Sequence, residues 1–165
     1  MNNNILFHGS TLVVDNPSAT IGRSELDFGP GFYLTNDRSQ AEKWALTKSS
    51  RRNGSSAVVN VYSFDAESFP ESQYRKMVFL AYSLDWLDFV ASSRKGRAPW
   101  SGLDWIEGGI ANDSVISTVD AYVDGFITAE QALGQLVSAE LRHQICISNP
   151  EILDRYLHFQ EAVIL

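Results

Sequence analysis

Apolar positions along this chain fall into short blocks of alternating type rather than into long runs. Residues 4–8, Asn4-Ile5-Leu6-Phe7-His8, read as a short buried strand closed by Gly9-Ser10. Residues 11–30 are rich in turn formers, and only Leu12-Val13-Val14 is continuously apolar, so a long loop with at most one short strand is expected. Residues 31–35 read as a strand. Asn36 or Asp37 then caps a helix over about 38–48 with Ala41, Trp44 and Ala45 on one face. The run Ala57-Val58-Val59-Asn60-Val61-Tyr62 is β-rich.

In residues 74–92 Met77, Leu80, Ala81, Leu84, Leu87 and Val90 recur at helical spacing, which predicts the longest helix of the chain. Residues 104–111 read as a strand or bend weakened by Gly108-Gly109, and a helix over 114–124 follows, capped by Asp113 and ended by Gly125. Thr128-Ala129-Glu130-Gln131 fits a capping box for a helix running to about Leu141. Residues 144–148 form a strand, Asn149-Pro150 opens a short helix, and a closing strand lies within 157–165. The pattern is α+β in one domain, residues 1–165.

Composition narrows this further. With 165 residues, 44% hydrophobic and 20% charged, the chain suits one folded domain that needs neither disulfides nor a metal. The single cysteine, Cys146, sits between isoleucines and reads as a buried small hydrophobe in a reducing compartment. No signal peptide or membrane-length stretch is visible, so a cytoplasmic protein without a membrane partner is expected. A net charge of −7 disfavours nucleic acid as partner. The cluster Lys48, Arg51, Arg52 reads as a solvated helix end rather than a docking patch. The histidines are scattered, with no spacing that suits a metal. Trp44, Trp86, Trp100 and Trp105 suit core and interface, with Trp100 and Trp105 able to form an exposed partner or lid surface.

Two segments carry candidate chemistry: Phe7-His8-Gly9-Ser10, and Asp27-Phe28-Gly29-Pro30-Gly31-Phe32-Tyr33-Leu34-Thr35 followed by Gln40-Ala41. Each sets a polar or aromatic side chain beside glycine, where backbone can approach a ligand closely. Taken alone, His8 can simply end an edge strand, and Phe32-Tyr33-Leu34 is an alternating half-buried strand with Tyr33 facing away from its neighbours.

Together, these segments resemble the NAD-binding half of ADP-ribosyltransferases of the diphtheria-toxin and poly(ADP-ribose) polymerase lineage. The resemblance implies two packed, mainly antiparallel sheets forming an NAD cleft with surrounding helices. It implies NAD as co-substrate, mono-ADP-ribosyl transfer to a macromolecular acceptor (a protein foremost), and release of nicotinamide. His8 would bond a ribose hydroxyl, Gly9 the carboxamide through its backbone, and Tyr33 would stack on nicotinamide. Ser10 and Gly31 complete the donor-binding segments. Arg23 would meet the pyrophosphate, or pair with Glu25 or Asp27, and Asp27 itself suits holding the loop. The lineage's third position is a glutamate; the matching strand here, His143-Gln144-Ile145-Cys146-Ile147, offers Gln144, which can accept a hydrogen bond but carries no charge. That disfavours polymer synthesis. Gly108-Gly109-Ile110-Ala111-Asn112-Asp113 is similar to a signature of a bacterial subgroup of toxin–antitoxin type, which implies an antitoxin partner and sets Asn112 and Asp113 on the acceptor side, unless Asp113 only caps its helix. A non-catalytic NAD or ADP-ribose binder and an NAD glycohydrolase are the alternatives, since both would keep the same donor-binding residues.

Overall fold

The computed structural model describes residues 4–21, 26–111 and 113–165. Seven strands and five α-helices lie among them, in the order β1 (Asn4–Ser10), β2 (Phe32–Leu34), α1 (Arg38–Ser50), β3 (Val58–Phe64), β4 (Lys76–Val78), α2 (Leu84–Arg94), β5 (Trp105–Gly109), α3 (Asp113–Val123), α4 (Ala129–Leu136), β6 (His143–Ile147), α5 (Pro150–Tyr156) and β7 (Leu157–Ile164). None of these helices is long and apolar enough to cross a membrane.

The strands build two sheets. One is antiparallel, in the order β1-β3-β7, with β3 buried along its whole length between its neighbours. The other runs β2-β6-β5-β4 and is antiparallel except for the parallel β4–β5 pair. Among the described residues their backbones join at one point, where Phe7 and Thr35 exchange hydrogen bonds of 2.8 and 3.0 Å. Beyond this bridge the sheets part, and their facing sides bury a common core of Leu6, Phe32, Leu34, Tyr62, Phe64, Trp105, Ile145 and Ile147. On the outer side of the second sheet, Phe28, Ile106 and Cys146 pack with Trp86, Leu87 and Val90 of α2, Val115 and Val119 of α3, and Ala132 and Leu136 of α4. The fold is therefore α+β with two packed, mainly antiparallel sheets.

Local signals account for most boundaries. The Asp37 side chain accepts from the amides of Ser39 and Gln40 at the start of α1; Asn149 does the same for Glu151 in α5; and Thr128 and Gln131 close a reciprocal capping box on α4. Residues 11–18 contain no strand: Leu12 and Val13 are exposed, and a 3-10 turn occupies Ala19–Ile21. This loop is held instead by buried Asn60, which accepts from the Val14 amide and donates to the Leu12 carbonyl, and by the Tyr62 hydroxyl, which donates to the Val14 carbonyl.

The long helix expected over 74–92 is not formed. Residues 76–78 are strand β4 and the helix begins only at Leu84, behind Ser83, whose hydroxyl accepts from the Trp86 amide. Tertiary pairing overrides the helical period: Arg75 O accepts from the Asp104 and Trp105 amides, and Phe79 N donates to Glu107 O. Met77 and Leu80, which the helical reading would bury, lie on the surface. Trp86 and Trp105 are core residues as expected, while the exposed Trp100–Trp105 surface is not formed, because Trp105 is in the inter-sheet core and Trp100 is half-buried against the Gly29 turn.

Helix α1 lies across β1 so closely that a Cβ on Gly9 would sit 2.1 Å from Ala41 O and 2.8 Å from Ala45 N. Glycine is required there for the approach itself, with alanines as the facing residues. Gly9→Ala should force the helix off the strand and lower stability by about 1–3 kcal/mol in urea unfolding, with far-UV circular dichroism little changed.

Candidate functional site

The seam between β1 and β2 collects the residues that the sequence singles out. His8 lies on β1 one residue beyond the bridge, and its Nδ1 is 2.7 Å from the Tyr33 carbonyl on β2. A carbonyl only accepts, so Nδ1 carries the proton and Nε2 presents a lone pair. Burial, then the nearby Lys48 ammonium, push the His8 pKa down to about 4, against the opposing pull of the Tyr33 bond. His8 is thus a neutral imidazole of fixed tautomer at neutral pH. Its ring stacks on Phe32, centroids 4.5 Å apart.

Backbone alternation orients Gly9. Phe7 turns both its N–H and C=O towards Thr35, so Gly9, two residues on, turns its own groups the same way, off the parting edge of the sheet. The Gly9 carbonyl accepts from Lys48 Nζ at 2.7 Å. Lys48 is exposed as a residue, but its ammonium folds inward along the helix, and burial, then Arg52, lower its pKa. The expectation of a solvated helix end holds for Arg51 and Arg52, which are exposed, and not for this ammonium. Lys48 follows Ala41 and Ala45 on one helical stripe, the spacing from which its inward placement was readable. Ser10, at the strand end, accepts from the Leu12 amide and serves the local turn.

Tyr33 projects from the face of β2 opposite Phe32. Its hydroxyl donates to Gly29 O at 2.6 Å and accepts from Phe28 N, which fixes the ring against its own preceding turn. Burial above all holds this phenol protonated well above its ordinary range. Cys146, directly opposite Tyr33 on β6, shares that face, as does Gln144 two residues away. Burial pushes the Cys146 thiol up to about 12. Gln144 is buried, and its Nε2 donates to Gly109 O at 3.3 Å, which identifies the acceptor end of the amide. The structure therefore brings His8, Tyr33 and Gln144 onto neighbouring strands, with His8 linked to Tyr33 through main chain rather than ring to ring. Gly31 is buried beside Cys146 and Ile147. Arg23 and Asn112 lie outside the described residues; Asp113 opens α3.

The turn before β2 is bolted down. Gly29 has φ 77°, and a side chain there would strike the Trp100 indole at 2.3 Å. Asp27 Oδ1 accepts from Arg94 Nε and Nη2 at 3.0 and 2.8 Å, Arg94 Nη1 reaches Asp120 at 2.6 Å, and Asp27 Oδ2 accepts from the Ala111 amide. Asp27 thus anchors the loop, but not by the backbone amides of the loop that its sequence suggests: its carboxylate is held chiefly by the Arg94 guanidinium, with one amide contact at Ala111.

On the other side of the bridge, where the sheets part beneath Asn4 and Leu6, lies a groove of about 460 Å³. It contains a second unanticipated pair: Glu107 Oε1 is 2.5 Å from His143 Nε2, and Glu107 Oε2 accepts from Trp105 Nε1 at 3.2 Å. The His143 bond chiefly holds the Glu107 carboxyl below its usual range. A charged residue in a strand whose flanking position, Ile106, is buried was the available signal. Among the described residues no group of three or more histidine, cysteine or acidic side chains could hold a metal ion.

A protein-family model described as "Protein of unknown function (DUF3990)" matches residues 4–159. No curated protein and no solved structure matches the chain.

The state of His8 makes a titration test direct. Below the ordinary imidazole pKa of 6.5 the unfolded chain takes up a proton that the folded chain refuses until about 4. This contribution to stability is complete above 6.5 and is lost as pH falls towards 4, amounting at most to roughly 3 kcal/mol. NMR titration should place the His8 midpoint near 4. In Lys48→Met it should move up but stay below 6.5, because burial is the larger cause.

Proposed function

The chain belongs to this family of unknown function, DUF3990, and from its site we propose that it binds NAD and transfers a single ADP-ribosyl group to a macromolecular acceptor, within an ADP-ribosyltransferase-like fold. The observation that supports the reading is the meeting at one seam of a neutral His8 of fixed tautomer, the Gly9 backbone with Lys48 on its carbonyl, and the Tyr33 strand, whose ring lies on the face of β2 opposite the His8 ring.

Each part suits a demand of the reaction. The His8 Nε2 lone pair accepts from a ribose hydroxyl. Lys48 supplies a cation beside Gly9 for the anionic half of the donor. Tyr33 supplies an aromatic ring whose orientation the Gly29 turn fixes. Gln144 accepts from a ribose hydroxyl without adding charge. In the step itself the bond between the ribose C1′ and the nicotinamide nitrogen breaks, with its electron pair leaving on nicotinamide. The acceptor nucleophile bonds to C1′, and its proton passes to solvent.

The uncharged Gln144 also favours a second reading, a module that binds NAD or ADP-ribose without cleaving it, because charge stabilisation of the cation is the component most reduced.

Purified protein incubated with NAD, with and without host lysate, and assayed for nicotinamide by mass spectrometry separates these readings. Release should fall about tenfold or more in Tyr33→Ala but persist in Tyr33→Phe, which keeps the ring. In Gln144→Glu it should rise by about tenfold or more. Lysate-dependent release with adduct formation identifies a transferase, equal release without lysate a hydrolase, and NAD binding without release the binding module. Neither binding nor release, in protein shown to be folded, removes the assignment.

A further inference from the structure

Strand β4 is an edge whose backbone is open on one side. Among the described residues its only strand partner is β5. Arg75 O and Phe79 N both bond towards β5, so by alternation Met77 points the same way and Lys76 and Val78 turn their N–H and C=O groups outward. Proteins commonly guard such an edge with a lysine that projects into solvent. Here that guard is folded away: the Lys76 ammonium pairs with Glu71 and lies 5.1 Å from the Trp105 ring centroid, leaving the side chain 20% exposed.

What the edge offers beside its backbone is apolar. Met77, Val78, Leu80 and Leu84 are exposed at 36, 46, 86 and 44%, four large hydrophobic side chains within one short stretch. Met77, Val78 and Leu80 border a shallow groove of about 740 Å³ that continues to Phe89, with the carboxylates of Asp85 and Asp88 on its α2 side. Contiguous exposed apolar surface of this kind marks an interaction site, and an open edge beside it fits an added strand.

The carboxylates choose the occupant. A second copy pairing edge to edge would bring its own Asp85 and Asp88, and its net charge of −7, against the same groove. We infer that the β4 edge docks an extended segment of a basic partner protein, which adds a strand alongside Lys76 and Val78, seats apolar side chains on Met77, Leu80 and Phe89, and sets lysine or arginine against Asp85 and Asp88. The inference is independent of the NAD reading, because none of these residues belongs to the His8–Tyr33 seam.

Selection of a randomised displayed peptide library on the full chain tests it. Enriched peptides should alternate basic and apolar residues, and synthetic copies should slow amide exchange at Lys76 and Val78. Val78→Pro removes an outward donor while sparing the bonds to β5, so affinity should drop about tenfold or more with the circular dichroism spectrum unchanged. Leu80→Ser and Asp85→Asn should each weaken binding, the second more at low salt than at high. The inference is overturned by failure to enrich any peptide, by binding that Val78→Pro leaves intact, by enrichment of acidic peptides, or by a homodimer that Val78→Pro dissolves.

Discussion

Two hydrogen bonds between Phe7 and Thr35 are the constraint on which this structure depends. They are the only backbone ladder contact between the two sheets among the described residues, and they fix where β1 stops running beside β2. On one side of that point the His8 ring spans the gap to the Tyr33 carbonyl; on the other the sheets open over Glu107 and His143. Both polar sites exist because the ladder is interrupted. A fully zipped sheet would use the same backbone groups on itself, leaving the Gly9 carbonyl nothing to present to Lys48.

The seam is held from three directions, each by a different kind of force. Helix α1 presses on β1 by close van der Waals approach at Gly9. The turn before β2 is fixed electrostatically, with Arg94 shared between Asp27 and Asp120. The floor is apolar, built where Leu6, Phe32 and Ile145 of the two sheets meet. The Arg94–Asp27 pair is largely buried, Asp120 meets the same arginine from the surface, and the approach at Gly9 is backbone to backbone, so the frame does not relax easily. Such a frame suits a site that relies on preorganised donors and acceptors rather than on a moving charge.

Much of this was legible in the sequence where the information is local. Caps at Asp37, Thr128 and Asn149, the strand at 143–147 and the alternation around Tyr33 all follow from side chains acting on their own backbone neighbours. The same reading placed His8, Tyr33 and Gln144 on strands, as they are. What it missed is non-local. The period through Met77, Leu80 and Leu84 is a true helical period, yet pairing with β5 decides the conformation of residues 76–78. Glu107 meets His143 only after β5 and β6 align in register, and Lys48 meets Gly9 only after α1 docks. Nor does composition reveal that the Tyr33 hydroxyl is spent on Gly29 and Phe28, which turns a candidate ligand-facing group into a brace for its own ring.

The acceptor for His8 Nδ1–H is a main-chain carbonyl, not a side chain. Any residue at position 33 that keeps the strand supplies the same oxygen, so the imidazole tautomer is inherited from the fold rather than from the tyrosine. The two halves of the seam can therefore drift independently over evolution. A relative that has replaced Tyr33 would still present the same histidine lone pair, and loss of the aromatic ring from an aligned sequence would say nothing about whether that acceptor survives.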